Sequence, residues 1–349
     1  MGWKDLVGSV KNIWDGSDGS LRINAPGPRQ IVGKNDVPPP LPKDFQLFVT
    51  LWPSFPHFDR FAHDERLVGV RLNSAMVSTS EIETELSKAK VVNGTVPLYF
   101  DVKSRQMRIE NIYMNPSYLD MTLNHPIYVK TPCPVLFKAG EDMAILDHLE
   151  EDGKRLIFQG GPRYSVKEGE SICIREPSLI VKGSLFTDAE MRKIEKVREY
   201  GFNKYFLSYV ESQRDVDQFL EIVGKDAEVQ LKIESQRGLE YVAREFRKKD
   251  NLFLVAARGD MYVELARPHD ILAAMRLLIA KDAQACAASR LLLSVVAGSV
   301  PSCSDFSELA WIYDLGYRRA MLCDEICLKE NLLGTAVRAF DEFRSSYCK

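Results

Sequence analysis

Apolar and polar residues follow one another along this chain in short blocks of two kinds. Eight blocks are compact and apolar: FQLFVTLW (45–52), LVGVRLN (67–73), VPLYFDV (96–102), KYFLSYV (204–210), EVQLKIE (228–234), NLFLVAARGD (251–260), RLLLSVVAG (290–298) and RRAMLCDE (318–325). They are rich in Val, Leu and Phe and mostly do not alternate strictly. That predicts parallel strands covered on both faces. Between most of them the apolar positions recur at helical spacing. TSEIETELSKAK carries a capping-box pair in Ser80 and Glu83, while DAEMRKIEKVREYG and SQRDVDQFLEIVG run to glycine stops at Gly201 and Gly224. GLEYVAREFRKK, HDILAAMRLLIAKDAQA, DFSELAWIYDLG and LLGTAVRAFDEFRSS complete the series.

Eight strands alternating with helices predict an α/β fold, a (β/α)8 TIM barrel over residues 45–108 and 183–349. Residues 109–182 interrupt it after the third strand. Their short Pro-bounded runs, HPIYVKTPCPVLF and SICIREPSLIVKG, read as a small β-rich insert. Residues 1–44 read as an N-terminal arm, an amphipathic start (MGWKDLVGSVKNIW) followed by a stretch ending in DVPPPLPKD. The arm is either a disordered leader or a contact that docks a protein partner or a second copy in a homodimer.

Composition narrows the function classes. A chain of 349 residues, 45% hydrophobic, can bury a large core. Its net charge of -3 offers no basic field for nucleic acid. No apolar run reaches the roughly 18 residues of a membrane span, and the N-terminus lacks the basic and apolar regions of a signal peptide. Seven scattered cysteines fit free thiols in a reducing compartment, hence a cytoplasmic protein. Cys323 and Cys327 are four apart, but no second Cys/His pair has zinc spacing, so packing is favoured over metal binding.

In such a barrel the working residues stand where strands end, at the C-terminal face. Arg71 and Asn73 close the second strand, Asp101 and Lys103 the third, Ser208 the fourth, Lys232 and Glu234 the fifth, Asp260 the sixth and Glu325 the eighth. Glu234 and Asp260 end neighbouring strands. They either share a divalent cation, Mg²⁺ or Mn²⁺, or pair with local bases such as Lys232 and Arg258. Lys232 lies two residues before Glu234 and so on the same face. An ammonium there can stabilise negative charge on a reacting oxygen. The nearby carboxylates disfavour the free amine that Schiff-base chemistry needs. With Arg71 and Lys103 opposite, the mouth suits a small anionic substrate: a phosphate, a 2-oxo acid, or both.

KIESQRG (232–238) followed by VAARGDMYVEL (255–265) resembles the paired strand ends of the pyruvate kinase family, KIE-N-x-x-G and M-V-A-R-G-D-L-G-V-E. VTLWPSF (49–55), VGVRLNSA (68–75), LYFDVKSRQMRI (98–109), LFTDAE (185–190), YFLSYVESQRDV (205–216) and the stretch 301–325 continue the likeness, which covers roughly residues 45 to 345. The resemblance implies Glu234 and Asp260 as divalent-metal ligands and Lys232 as the lysine that stabilises a transferring phosphoryl group. It implies Arg71 as a phosphate-side cation and the backbone around Ala257, Arg258 and Gly259 as the seat of a substrate carboxylate. Lys103, Asn73 and Ser208 would also line the substrate, Asn73 and Asp101 would form half of a K⁺ site, ADP or ATP would be the nucleotide, and the insert would be a reduced mobile lid.

The chain also departs from that pattern. The serine and threonine of the K⁺ site are Ala75 and Val102 here. The threonine of the C-A-T-Q-M strand end falls on Val295, which leaves Ser294 as the candidate for proton delivery. The G-P-E after the third-strand lysine reads SRQ, with Gln106 in place of the carboxylate, and S-G-E before the last helix reads CDE. The family's C-terminal regulatory domain is missing after the eighth helix, so sugar-phosphate allostery is not expected and a dimer is expected over a tetramer. The leading expectation is a divalent-metal-dependent phosphotransferase, a kinase acting on phosphoenolpyruvate or a related enol or 2-oxo acid such as pyruvate. Two alternatives stand beside it: a metal-dependent 2-oxo acid lyase or aldolase, and a non-catalytic homologue serving as a binding or partner subunit.

Overall fold

The structure, a computed structural model, describes residues 45–348. The arm expected over residues 1–44 lies outside them. Eight parallel strands close into a barrel: β1 (Gln46–Thr50), β2 (Leu67–Asn73), β3 (Leu98–Val102), β4 (Lys204–Leu207), β5 (Glu228–Ile233), β6 (Leu252–Ala257), β7 (Cys286–Ala288) and β8 (Arg319–Met321). Each pairs with its sequence neighbours, and β1 pairs with β8 to complete the ring. Helices cover the outside, and the (β/α)8 expectation holds.

Alternation along each strand sorts the barrel interior into two layers. The lower layer is an apolar plug. Phe48, Tyr99 and Phe206 meet edge to face at 5.3 to 5.8 Å between ring centroids, with Val255, Cys286, Ala288 and Met321 around them. A Cβ on Gly69 would come 2.5 Å from the Phe48 ring and 2.8 Å from the Tyr99 ring, so the plug needs glycine there. The upper layer is polar, and its residues stand two positions further along the same strands: Thr50 above Phe48, Arg71 above Gly69, Asp101 above Tyr99, Ser208 above Phe206 and Lys232 above Gln230. The plug, with Gln230 beside it, is thus the floor of the mouth.

Two expectations from the sequence are corrected. The seventh strand is not the apolar run 290–298. It is the three-residue Cys286–Ala288, and Leu291, Leu292 and Val295 of the run are buried in loop and a short helix, Val295–Gly298. Period and apolarity alone do not separate a strand from a buried loop of this length. The helix Ile82–Val92 starts without a side-chain cap, because Ser78 rather than Ser80 bonds Glu81 ahead of it.

The segment after β3 forms a five-stranded antiparallel sheet, in the order Ile109–Tyr113, Asp120–Leu123, Arg155–Gln159, Asp142–Glu150, Cys133–Phe137. Ile127–Tyr128 pairs separately with Ile180–Val181. The sheet has its own core, including Met121, Leu123, Val135, Phe137 and Leu146. It leans on the barrel beside β5 and β6. Cys173 Sγ donates to the Val263 carbonyl at 3.5 Å, Arg175 Nε donates to the same oxygen at 2.5 Å, and Arg237 Nη2 donates to the Leu179 carbonyl at 2.5 Å. No helix among the described residues is long and apolar enough to cross a membrane.

Candidate active site

The polar layer is a connected network around Asp101. This carboxylate, fully buried, accepts from Arg71 Nε and Lys103 Nζ, each at 2.7 Å on Oδ2, and from the Ser208 hydroxyl at 3.0 Å on Oδ1. Lys232 Nζ stands 3.7 Å from the same Oδ2 and donates to Ser208 Oγ at 3.0 Å. Burial works against the ionised Asp101. Lys103, Lys232 and Arg71 outweigh it and hold the carboxyl far below the usual carboxylate range. Burial together with the cations Lys232 and Arg71 pulls the Lys103 ammonium down to about 8, although Asp101 opposes the shift.

Lys232 also stands 2.7 Å from Glu234 Oε1, as their two-residue spacing on β5 predicts. This ion pair is the only contact of Oε1 among the described residues. The other oxygen, Oε2, accepts the backbone N–H of Tyr209 at 2.6 Å. Burial pushes the Glu234 carboxyl up to about 7, and Asp260 adds to the rise. The Lys232 ammonium does not cancel this, because its charge is shared with Asp101. Lys232 itself pays for burial, yet Asp101 and Glu234 more than offset that and hold its pKa above the usual value.

Asp260 lies in the first turn of the helix Arg258–Glu264, which begins directly after β6. Its side chain makes no hydrogen bond or ion pair with another described residue, and its charge acts on Glu234, Tyr209 and Glu264. Arg258 turns away to Glu308 at 2.6 Å and to the Ala288 carbonyl, so it does not neutralise Asp260. Ala257, Arg258 and Gly259 form the junction of β6 and that helix, and a Cβ on Gly259 would meet only Ser289, at 3.4 Å.

At the other end of the mouth, Arg71 Nη1 donates to Thr50 Oγ1 at 2.9 Å and to Asp324 Oδ1 at 3.1 Å. Asn73 Nδ2 donates to Asp324 Oδ2 at 3.1 Å, while its oxygen accepts from the Ala75 N–H. Arg71 and Lys103 hold Asp324 below the usual carboxylate range against the effect of burial. Of the pair expected for K⁺, Asp101 is therefore met by three cations of the chain and Asn73 is turned to Asp324.

Two sequence expectations are relocated here. Glu325 is exposed, and the eighth-strand carboxylate in the mouth is Asp324. Ser294 bonds Asp305, and its oxygen accepts from the Ser302 N–H at 2.9 Å, inside the capping box of Cys303–Asp314. With β7 at Cys286–Ala288, Ser294 and Val295 lie beyond the strand, at the start of the short helix Val295–Gly298.

Several residues were missed. Glu190 ties Ser74 Oγ (2.5 Å) to the Lys103 N–H (2.8 Å). Tyr209 donates its hydroxyl to Glu264 Oε1 at 2.7 Å. Tyr209, Ser289 and Arg290 hold positive φ of 49°, 69° and 63°, just past β4 and β7. Strained conformations of non-glycine residues cluster at functional mouths, but no local sequence signal marks them.

A divalent cation fits this mouth in part. Among the described residues no three His, Cys, Asp or Glu side chains are grouped to hold a metal by themselves. Glu234 nevertheless keeps a buried oxygen whose only contact is the Lys232 ammonium, with the unpaired Asp260 carboxylate acting on it. Hard cations such as Mg²⁺ take one or two carboxylates and fill the remaining positions with water and substrate oxygens.

A closed parallel barrel with a buried charged network at the C-terminal ends of its strands places this chain among (β/α)8 barrel proteins. Comparison with known proteins adds a distant relationship to pyruvate kinases. The chain is similar to the pyruvate kinase of Methanocaldococcus jannaschii (24% identity over 242 residues, 63% of this chain and 50% of that protein). It is also similar to those of Thermoplasma acidophilum (22% over 286 residues, 76% and 51%) and Borreliella burgdorferi (25% over 228 residues, 58% and 46%). The chain spans about half the length of the curated relatives it matches. No family model matches it.

Proposed function

We propose that the barrel mouth is a divalent-metal site for a small enol or 2-oxo acid, with pyruvate-kinase-like chemistry on phosphoenolpyruvate or a related acid. The observation that carries this reading is the pair Glu234 and Asp260: one buried carboxylate whose Oε1 meets only the Lys232 ammonium, beside another whose side chain has no partner among the described residues. These two would hold Mg²⁺ or Mn²⁺. A cation bound there would polarise a carbonyl or enol oxygen and offset its negative charge. Lys232, fixed by Ser208 and Asp101, would present a charged ammonium to the same oxygen. The apolar plug closes the site from below.

A second reading, 2-oxo acid chemistry without phosphoryl transfer, is favoured by Asp324, whose carboxylate meets the cation expected to face a phosphate. Both readings share the metal site. The test is calorimetric titration with Mn²⁺, with and without oxalate, a mimic of the pyruvate enolate, alongside Glu234→Gln and Asp260→Asn. Oxalate should bind only with metal, and each substitution should abolish it. A wild-type protein that binds neither Mn²⁺ nor oxalate would overturn the reading and leave the two carboxylates as part of an ion-pair network.

A further inference from the structure

Asp324 is a carboxylate of the chain that behaves like a bound anion. Its two oxygens meet Arg71 Nη1 and Asn73 Nδ2, both at 3.1 Å. Arg71 also donates to Asp101 and Thr50. Lys103 and Lys232 are turned to Asp101. The mouth therefore sets three cations (Arg71, Lys103, Lys232) against four carboxylates (Asp101, Glu234, Asp260, Asp324). Such a balance accommodates a divalent cation with a small dianion. It leaves no uncompensated positive charge for a further phosphate group. An anion arriving at Arg71 must also displace a carboxylate tethered a few ångströms away, whose effective concentration far exceeds that of a free ligand. The glycine of the S-G-E pattern has no such group, so this feature belongs to the chain itself.

We infer that Asp324 is a specificity-determining residue that fills the anion position at Arg71 and Asn73 from within, so that the mouth selects an unphosphorylated 2-oxo or enol acid over its phosphate ester. This deepens the proposed function and rests on its metal site for the choice between acids. The occupancy of Arg71 by Asp324 stands without metal.

The experiment has two arms, each run on the wild type, Asp324→Gly and Asp324→Asn. The asparagine variant keeps the shape of the side chain should the glycine variant fail to fold. In the first arm, inorganic phosphate is titrated without metal. Its affinity should rise at least about tenfold in Asp324→Gly, and less in Asp324→Asn. In the second arm, oxalate and phosphoenolpyruvate are titrated with Mn²⁺. The wild type should prefer oxalate, and the preference should shrink at least about tenfold in Asp324→Gly. Equal phosphate affinity in all three proteins overturns the inference, as does wild-type protein that binds phosphoenolpyruvate as tightly as oxalate. Loss of oxalate binding in every protein, with the phosphate gain intact, refutes the metal reading and supports the role of Asp324.

Discussion

The Arg71 guanidinium and the Asp101 carboxylate meet across β2 and β3 with Nε 2.7 Å from Oδ2, and neither side chain is more than 8% exposed. Lys103 and Lys232 crowd the same oxygen. A buried carboxylate that serves three cations is costly to remove, because Lys103 then loses its carboxylate and Arg71 and Lys232 each lose one of two.

Asp101→Asn should therefore destabilise the fold by about 3–5 kcal/mol, even though it preserves shape and one acceptor oxygen. Urea unfolding followed by far-UV circular dichroism measures the loss. A change below about 1 kcal/mol would mean that the cations find other partners or solvent, and that Asp101 is not the hub of the network.

Gly69→Ala should destabilise by about 1–3 kcal/mol, since its methyl group would press on the Phe48 and Tyr99 rings. The reduced freedom of the unfolded chain favours alanine by only about 0.4–1 kcal/mol, so overpacking wins. Adding Phe48→Leu should recover part of the loss, a coupling readable from a double-mutant cycle. Strictly additive effects would show that the methyl is absorbed elsewhere.

Glu264 supplies a pH signature. Burial pushes its carboxyl up from 4.5 to about 7, aided by Asp260 and Glu211 and opposed by Tyr209 and Cys173. Between those two values the folded protein keeps a proton that the unfolded chain has released. Stability from this group is therefore fully present below pH 4.5 and falls as pH rises to about 7. Glu264→Gln cannot lose that proton and can still accept from Tyr209. Its stability advantage over the wild type should be near zero at the acid end of the window and on the order of 2 kcal/mol above its upper end. Urea midpoints at the two ends test this. An advantage that is the same at both would remove the titration of Glu264 as its cause.

Much of the barrel was legible in the chain because it rests on local geometry. A strand turns successive side chains to opposite faces whatever surrounds it. Lys232 and Glu234 were placed together by that rule alone, and Asp260 by the break in polarity at the end of β6. The seventh strand was not legible. Its residues, Cys286, Ala287 and Ala288, are few and small, Cys286 and Ala288 facing the plug and Ala287 the surrounding core, while the richer run after them packs as loop and a short helix. Asp324 was not legible either, since it lies 253 residues from Arg71 and meets it only when β8 closes against β1. The sequence by itself determined which side chains share a face of each strand, through the two-residue period of the backbone. Only the closed barrel decided which strand ends face each other, and so which carboxylate answers which cation. That choice depends on ring closure over hundreds of residues, which no local pattern encodes.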